Sequence, residues 1–318
     1  MKPVYSLLVV LLMLVVAGVI VMQGEPDEKV GLSGVMELVG DAQRTALKPA
    51  MMATRVTPAE EMELGRRLAG QMYFRRGSDN ADEAFRKTEQ YVKRLGQSLL
   101  AGRARKEIFY EFHLVDEGMV NAFALPGGQI FVFRGLVEFV ESEAELASIL
   151  GHEIAHVDAR HCVELFQAEM AAEKISGPLL GNTKWLAGIG MRLASRIIQG
   201  GYQQYQEFEA DARGLKFAAD AGYAPDAAEK VMARLGEKYQ ETKMQPKASD
   251  PVAELQIAIK TAAGSYFRSH PPTPERVERL RKLASSQIGK RKFYIGKENL
   301  KLRQTRDQNQ IEAEFTSK

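Results

Sequence analysis

SILGHEIAHVDARH, residues 148–161, is the stretch on which the reading of this chain turns. It holds three of the five histidines, His152, His156 and His161, with Glu153 directly behind the first. Ser142 opens a helix here, with Glu145 three residues on as its capping box. On that helix His152 and His156 are four apart and share a face, their Cβ atoms about 5–6 Å apart. Two imidazoles so placed reach one tetrahedral Zn²⁺ at about 2.0–2.1 Å. Glu153 lies a quarter turn around, able to touch an attacking water without taking a coordination position. A carboxylate there takes the water's proton and returns it to the leaving amine. At 100° per residue Leu146, Leu150, Ile154 and Val157 gather on the side opposite the two histidines, giving the helix an apolar back. Carried on at the same pitch, His161 falls on that back and reads as a structural, core-bonded histidine. Cys162 reads as a small buried hydrophobe.

Zinc needs a third protein ligand and a fourth position for water. The continuation H-x-x-G-x-x-H fails, because Ala159 replaces the glycine and Cys162 the histidine. A carboxylate remains, and EFEADARG, 207–214, offers one. Glu207 and Asp211 share a face. Glu209 points about 160° away from Glu207 and pairs with Arg213 as a surface contact. Glu207 is therefore the expected ligand, and Asp211 the acceptor for a ligand histidine's other N–H. His270, in SHPPTPER (269–276), sits in an extended segment. Two readings stay open for it here: a turn residue without a role, or a donor to the oxyanion of a tetrahedral intermediate. Arg276 is a weaker candidate that pairs within its own helix.

Outward from the motif, Thr57-Pro58-Ala59-Glu60 starts a helix, and a second helical pattern runs from about Asp82 to Leu100. IFYEFHLV (108–115) and QIFVF (129–133) read as strands, with a forced turn at Pro126-Gly127-Gly128 between them. Further helices are expected from about Gln203 to Gly222, at Pro225–Gly236, at Pro251–Ala263 and from Pro274. The Gly-rich segment 177–201 reads as a core hairpin or a lid over the cleft. RQTRDQNQ, 303–310, reads as disordered.

Val4 to Met22 form 19 residues without charge, about the length of a membrane-spanning helix. The exit lacks a signal-peptidase pattern, so an uncleaved anchor is expected, a cleaved signal peptide being the alternative. Lys2 before the span and Glu25, Asp27 and Glu28 after it place the rest of the chain outside the cytoplasm. Net charge is +2 from 43 basic and 41 acidic side chains, which argues against a nucleic-acid partner. One cysteine excludes both an internal disulfide framework and a multi-cysteine zinc module.

H-E-x-x-H followed about fifty residues later by E-x-x-x-D, with NAFALPGG, QIFVF and SHPPTPER in order around them, resembles the zinc metallopeptidases of family M48. That family includes HtpX, the CAAX prenyl endopeptidase and BepA. The resemblance runs from about residue 110 to 280 and is closest to the periplasmic members, since one candidate span replaces several. It implies a zincin-like, gluzincin-type core in which His152, His156 and Glu207 bind one Zn²⁺, Glu153 is the base and Asp211 supports a ligand. It also implies that the strand Gln129, Ile130, Phe131, Val132, Phe133 pairs with substrate backbone, and that His270 reaches the zinc in a resting state.

The expectation is an α+β, predominantly α-helical domain with a small sheet. Residues 1–23 form the anchor, 24–56 a juxtamembrane linker, 57–286 the metallopeptidase domain and 287–318 a basic, then polar tail. Its expected activity is hydrolysis of unfolded or misfolded envelope polypeptides. The alternative is a chaperone-like binding protein with a structural zinc.

Overall fold

The computed structural model describes residues 56–71, 82–172, 202–243, 266–287 and 291–316. The expected anchor and linker, the 177–201 segment and the helix at 251–263 lie outside the described residues. Among the described residues no helix is long and apolar enough to cross a membrane.

The architecture is α+β and mostly helical, with one three-stranded sheet. Helix α1 (Pro58–Gln71) starts where expected: Thr57 Oγ1 accepts from Glu60 N at 3.3 Å and Glu60 Oε2 accepts from Thr57 N at 2.9 Å. Helix α2 (Glu83–Ser98) is capped by Asp82, which accepts from Phe85 N at 2.7 Å. The sheet follows as β1 (Glu111–Val115), β2 (Ala122–Leu125) and β3 (Gln129–Phe133). β2 was not expected. The turn Pro126–Gly128 folds it back on β3, and needs glycine because Gly127 and Gly128 lie at φ 72° and 88°. A Cβ on Gly127 would also stand 2.5 Å from Met62 Cα in α1.

The strand order is β1-β3-β2, with β1 parallel and β2 antiparallel to β3. This corrects the expectation for Gln129–Phe133. β3 is the central strand, and its main-chain groups are engaged on both sides, so it presents no edge to another chain. β1 and β2 are the edges.

A short helix α3 (Arg134–Phe139) leads to the motif helix α4 (Glu143–Asp158), where Ser142 Oγ accepts from Glu145 N at 3.2 Å. Every residue of α4 is buried. Its apolar back lies on β2, and its polar front, rather than facing solvent, lies against α6 (Gln204–Asp220). The helices approach closely because Gly151 and Gly214 face each other: a Cβ on either would fall 2.6 Å from the other helix's backbone. α4 stops at Asp158, and Arg160, at φ 66°, turns the chain into α5 (His161–Ala172). After α6 come α7 (Asp226–Lys243), the single turn α8 (Tyr266–Ser269) and α9 (Pro274–Ser285), capped by Thr273.

The tail corrects the reading of 303–310 as disordered. Residues 291–316, with the short helix α10 (Lys297–Leu302), pack on the same core. Gly296 O and Ile295 O accept the first N–H groups of α4, from Glu143 and Ala144, each at 3.0 Å. The buried Glu143 carboxylate accepts from Arg306 N at 2.8 Å and from the hydroxyls of Tyr223 at 2.5 Å and Tyr91 at 3.3 Å. The polar segment is held by this carboxylate and by Tyr294 and Asn299, whose side chains donate to Asn309 O at 3.3 and 2.8 Å.

Candidate active site

Three elements deliver the site. The front of α4 presents His152, Glu153 and His156. The first turn of α6 presents Glu207 towards them across the Gly151–Gly214 contact. α8 is tied to the segment before β2 through Tyr266 N, which donates to Val120 O at 3.2 Å, and is followed by His270, whose N donates to Tyr266 O at 2.8 Å. All five side chains are buried.

Four groups turn lone pairs to one point. His152 Nε2 lies 3.0 Å from His156 Nε2 and 3.0 Å from His270 Nδ1. Glu207 Oε1 lies 2.9 Å from His270 Nδ1 and 3.4 Å from His156 Nε2, while its Oε2 lies 3.5 Å from His152 Nε2. Four ligands at about 2.0–2.1 Å from a tetrahedral Zn²⁺ stand about 3.3–3.4 Å apart along each edge. With Oε1 as the Glu207 donor the separations run from 2.9 to 3.4 Å, at or somewhat below that value, and one ligand atom from each of the four residues falls within 4.8 Å of the others.

The chemistry of the donors agrees. His152 Nδ1 faces Asp211 Oδ1 at 3.0 Å, so the hydrogen of a neutral ring sits there and Nε2 is bare. His270 Nε2 faces Glu153 Oε1 at 3.3 Å, which leaves its Nδ1 bare in the same way. Bare nitrogens about 3 Å apart beside a carboxylate repel unless a cation lies between them. Arg276, expected to pair within its own helix, is fully buried and does more. It donates to Asp211 Oδ1 at 2.7 Å and Oδ2 at 2.8 Å and pairs with Glu207 Oε2 at 2.7 Å. It thus occupies one Glu207 oxygen and leaves the other for the centre. Nothing local in SHPPTPER signals that role, because both partners lie over sixty residues away.

Burial alone would raise the pKa of Glu207, but His270 and Arg276 outweigh it and hold it well below the carboxylate range. Burial acts likewise on Asp211, and Arg276 again lowers its pKa. Burial depresses His156 well below the usual imidazole value. It opposes charge on His152 too, yet Asp211 and Glu207 push that ring up to about 9. Glu153 is fully buried, and burial raises its pKa. Its Oε1 lies 3.3 Å from His270 Nε2, and neither oxygen makes a well-formed hydrogen bond among the described residues. A buried carboxylate with unused lone pairs beside a convergent donor set is placed to take a proton.

Tyr202 stacks on His156 with ring centroids 3.8 Å apart, and its hydroxyl meets the Cys162 thiol at 3.1 Å. Cys162 is buried as expected, and burial pushes its thiol up to about 12.

The sequence profile of Peptidase family M48 matches residues 86–284, well over half the chain. A putative beta-barrel assembly-enhancing protease of Vibrio cholerae is 31% identical over 198 residues, 58% of this chain and 40% of the relative. The mitochondrial metalloendopeptidase OMA1 of Schizosaccharomyces pombe is 29% identical over 187 residues, 55% of this chain and 52% of the relative. That of Arabidopsis thaliana is 38% identical over 136 residues, 41% of this chain and 26% of the relative. The chain therefore spans from about a quarter to about half the length of these relatives.

Proposed function

The chain belongs to peptidase family M48, and we propose that it is a zinc-dependent endopeptidase cutting unfolded or misfolded polypeptides outside the cytoplasm. The observation that carries this reading is the convergence of His152, His156, Glu207 and His270 beside the buried Glu153. Bound there, zinc supplies Lewis acidity towards the scissile carbonyl and acidifies the attacking water. Glu153 takes the proton of that water and delivers it to the leaving amine. Asp211, held by Arg276, keeps His152 in the tautomer that ligates. His270 Nδ1 converges with the other three donors, so with zinc bound it would compete with the attacking water, and activity would require His270 to withdraw when a peptide enters. Once displaced, it would serve as a donor to the oxyanion.

Since β3 is central, we assign the strand-like pairing of substrate main chain to β2. It is the edge that lies against α4, and such pairing reads backbone before side chains. That suits unfolded chains. Residues 4–22 support an anchor that leaves the catalytic domain on the far side of a membrane, periplasmic in a Gram-negative cell. The resemblance to beta-barrel assembly-enhancing proteases supports an envelope setting.

A chaperone-like protein with a structural zinc would keep the same ligands but has no use for Glu153. The test is degradation of unfolded casein by the zinc-loaded chain and by Glu153→Gln. We expect the variant to bind zinc as wild type does and to lose activity by at least about a hundredfold. Equal rates would refute the peptidase assignment.

A further inference from the structure

The structure assigns His161, with Glu209 behind it, as the positioning residue for the ligand His156. The inference rests on the zinc reading above, through His156 Nε2. His156 turns Nε2 to the centre, 3.0 Å from His152 Nε2 and 3.4 Å from Glu207. Ligation uses a bare Nε2, so the ring's hydrogen sits on Nδ1. That nitrogen lies 3.0 Å from Nδ1 of His161. Two N–H groups cannot face each other at that distance, so His161 Nδ1 accepts. The neutral His161 ring then carries its hydrogen on Nε2, and Nε2 faces Glu209 Oε2 at 3.5 Å. Glu209 is fixed in turn by Arg213, whose guanidinium lies 2.7 Å from Oε1. A single choice at the metal end thus sets the hydrogens of both rings, with Glu209 the carboxylate nearest the His161 N–H.

The arrangement parallels the partner set of the other ligand, His152–Asp211–Arg276. It differs in using a neutral ring where His152 has a carboxylate. Both rings are fully buried, and Tyr202 stacks on His156, so no water competes for Nδ1. Chain geometry makes it possible. α4 ends at Asp158 and Arg160 turns in the left-handed region, which swings His161 from the expected back of α4 to the rear of His156. α6 serves both sides, with Glu207 at the centre and Glu209 behind His161.

Ligand partners of this kind typically govern metal affinity by about 10–100-fold. The test is the zinc dissociation constant of the full chain, by competition with a chromophoric chelator, for wild type, His161→Phe and His161→Asn. We expect Phe to weaken zinc binding by about 10–100-fold. Asn, whose amide oxygen stands where Nδ1 does, should stay within about fivefold of wild type. If wild type binds zinc and the Phe variant binds it within twofold, the inference is overturned while the zinc site stands. If wild type binds no zinc, both fall. A readout free of substitution is the ¹⁵N spectrum of the histidine rings in the zinc-loaded wild type. It should show hydrogen on Nδ1 of His156 and on Nε2 of His161, and hydrogen on Nδ1 of His161 would overturn the inference even where the variants fail to fold.

Discussion

Gly214→Ala tests how the site is held together. Gly214 lies seven residues after Glu207 on α6 and meets α4 at the step before His152. A Cβ there would stand 2.6 Å from His152 N and 2.7 Å from its Cα. Both are backbone atoms of a buried helix and have no rotamer with which to yield. Restoring ordinary contact requires the helices to separate by about 0.8 Å, an overpacking that costs about 1–3 kcal/mol. Zinc–ligand distances tolerate only about ±0.2 Å. The shift would carry Glu207 off the histidines, and zinc affinity should fall by about a hundredfold. Urea denaturation and chelator competition measure the two effects. Gly70→Ala is the control, since nothing lies within 4 Å of its added methyl. Removing a helical glycine there should stabilise the chain by about 0.5–1 kcal/mol and leave zinc affinity unchanged. If Gly214→Ala binds zinc within threefold of wild type at undiminished stability, the glycine contact does not set the site.

Arg276→Met should leave the buried Glu207 and Asp211 carboxylates without their guanidinium partner and cost the metal-free chain about 3–5 kcal/mol in urea denaturation. Saturating zinc should recover part of that, and a loss below about 1 kcal/mol would contradict the pairing. Burial raises the pKa of Glu143 from 4.5 to about 7, against hydrogen bonds from Tyr223, Arg306 N and Tyr91 that lower it. A raised folded value means that its contribution is whole below pH 4.5 and is lost as pH rises towards 7, by up to about 3 kcal/mol. The stability of Glu143→Gln relative to wild type should therefore climb between about pH 4.5 and 7 and be level above, and a flat difference would refute it.

Sequence carried the parts whose cause is local. Ser142 and Glu145 mark the start of α4, histidines four apart share its face, and Gly127-Gly128 permits only a turn. The placement of Glu207 beside the histidines was legible because the motif asked for one more ligand and EFEAD offers few. What escaped depends on distant partners. AFAL is too short to declare itself a strand until β3 lies beside it, and whether QIFVF is central or an edge is decided by β1 and β2 together. His161 was misplaced because nothing in VDARH announces that Arg160 breaks the helix. Arg276 acquires its role from two carboxylates on α6, and the polar tail its order in part from Glu143.

The most direct test of the central claim is a zinc titration of the chelator-stripped full chain alongside Glu207→Ala. The convergence of His152, His156 and Glu207 predicts one tightly held ion per chain, and an affinity lower by at least about a hundredfold in the variant. No zinc uptake by wild type, or equal uptake by both, would contradict it.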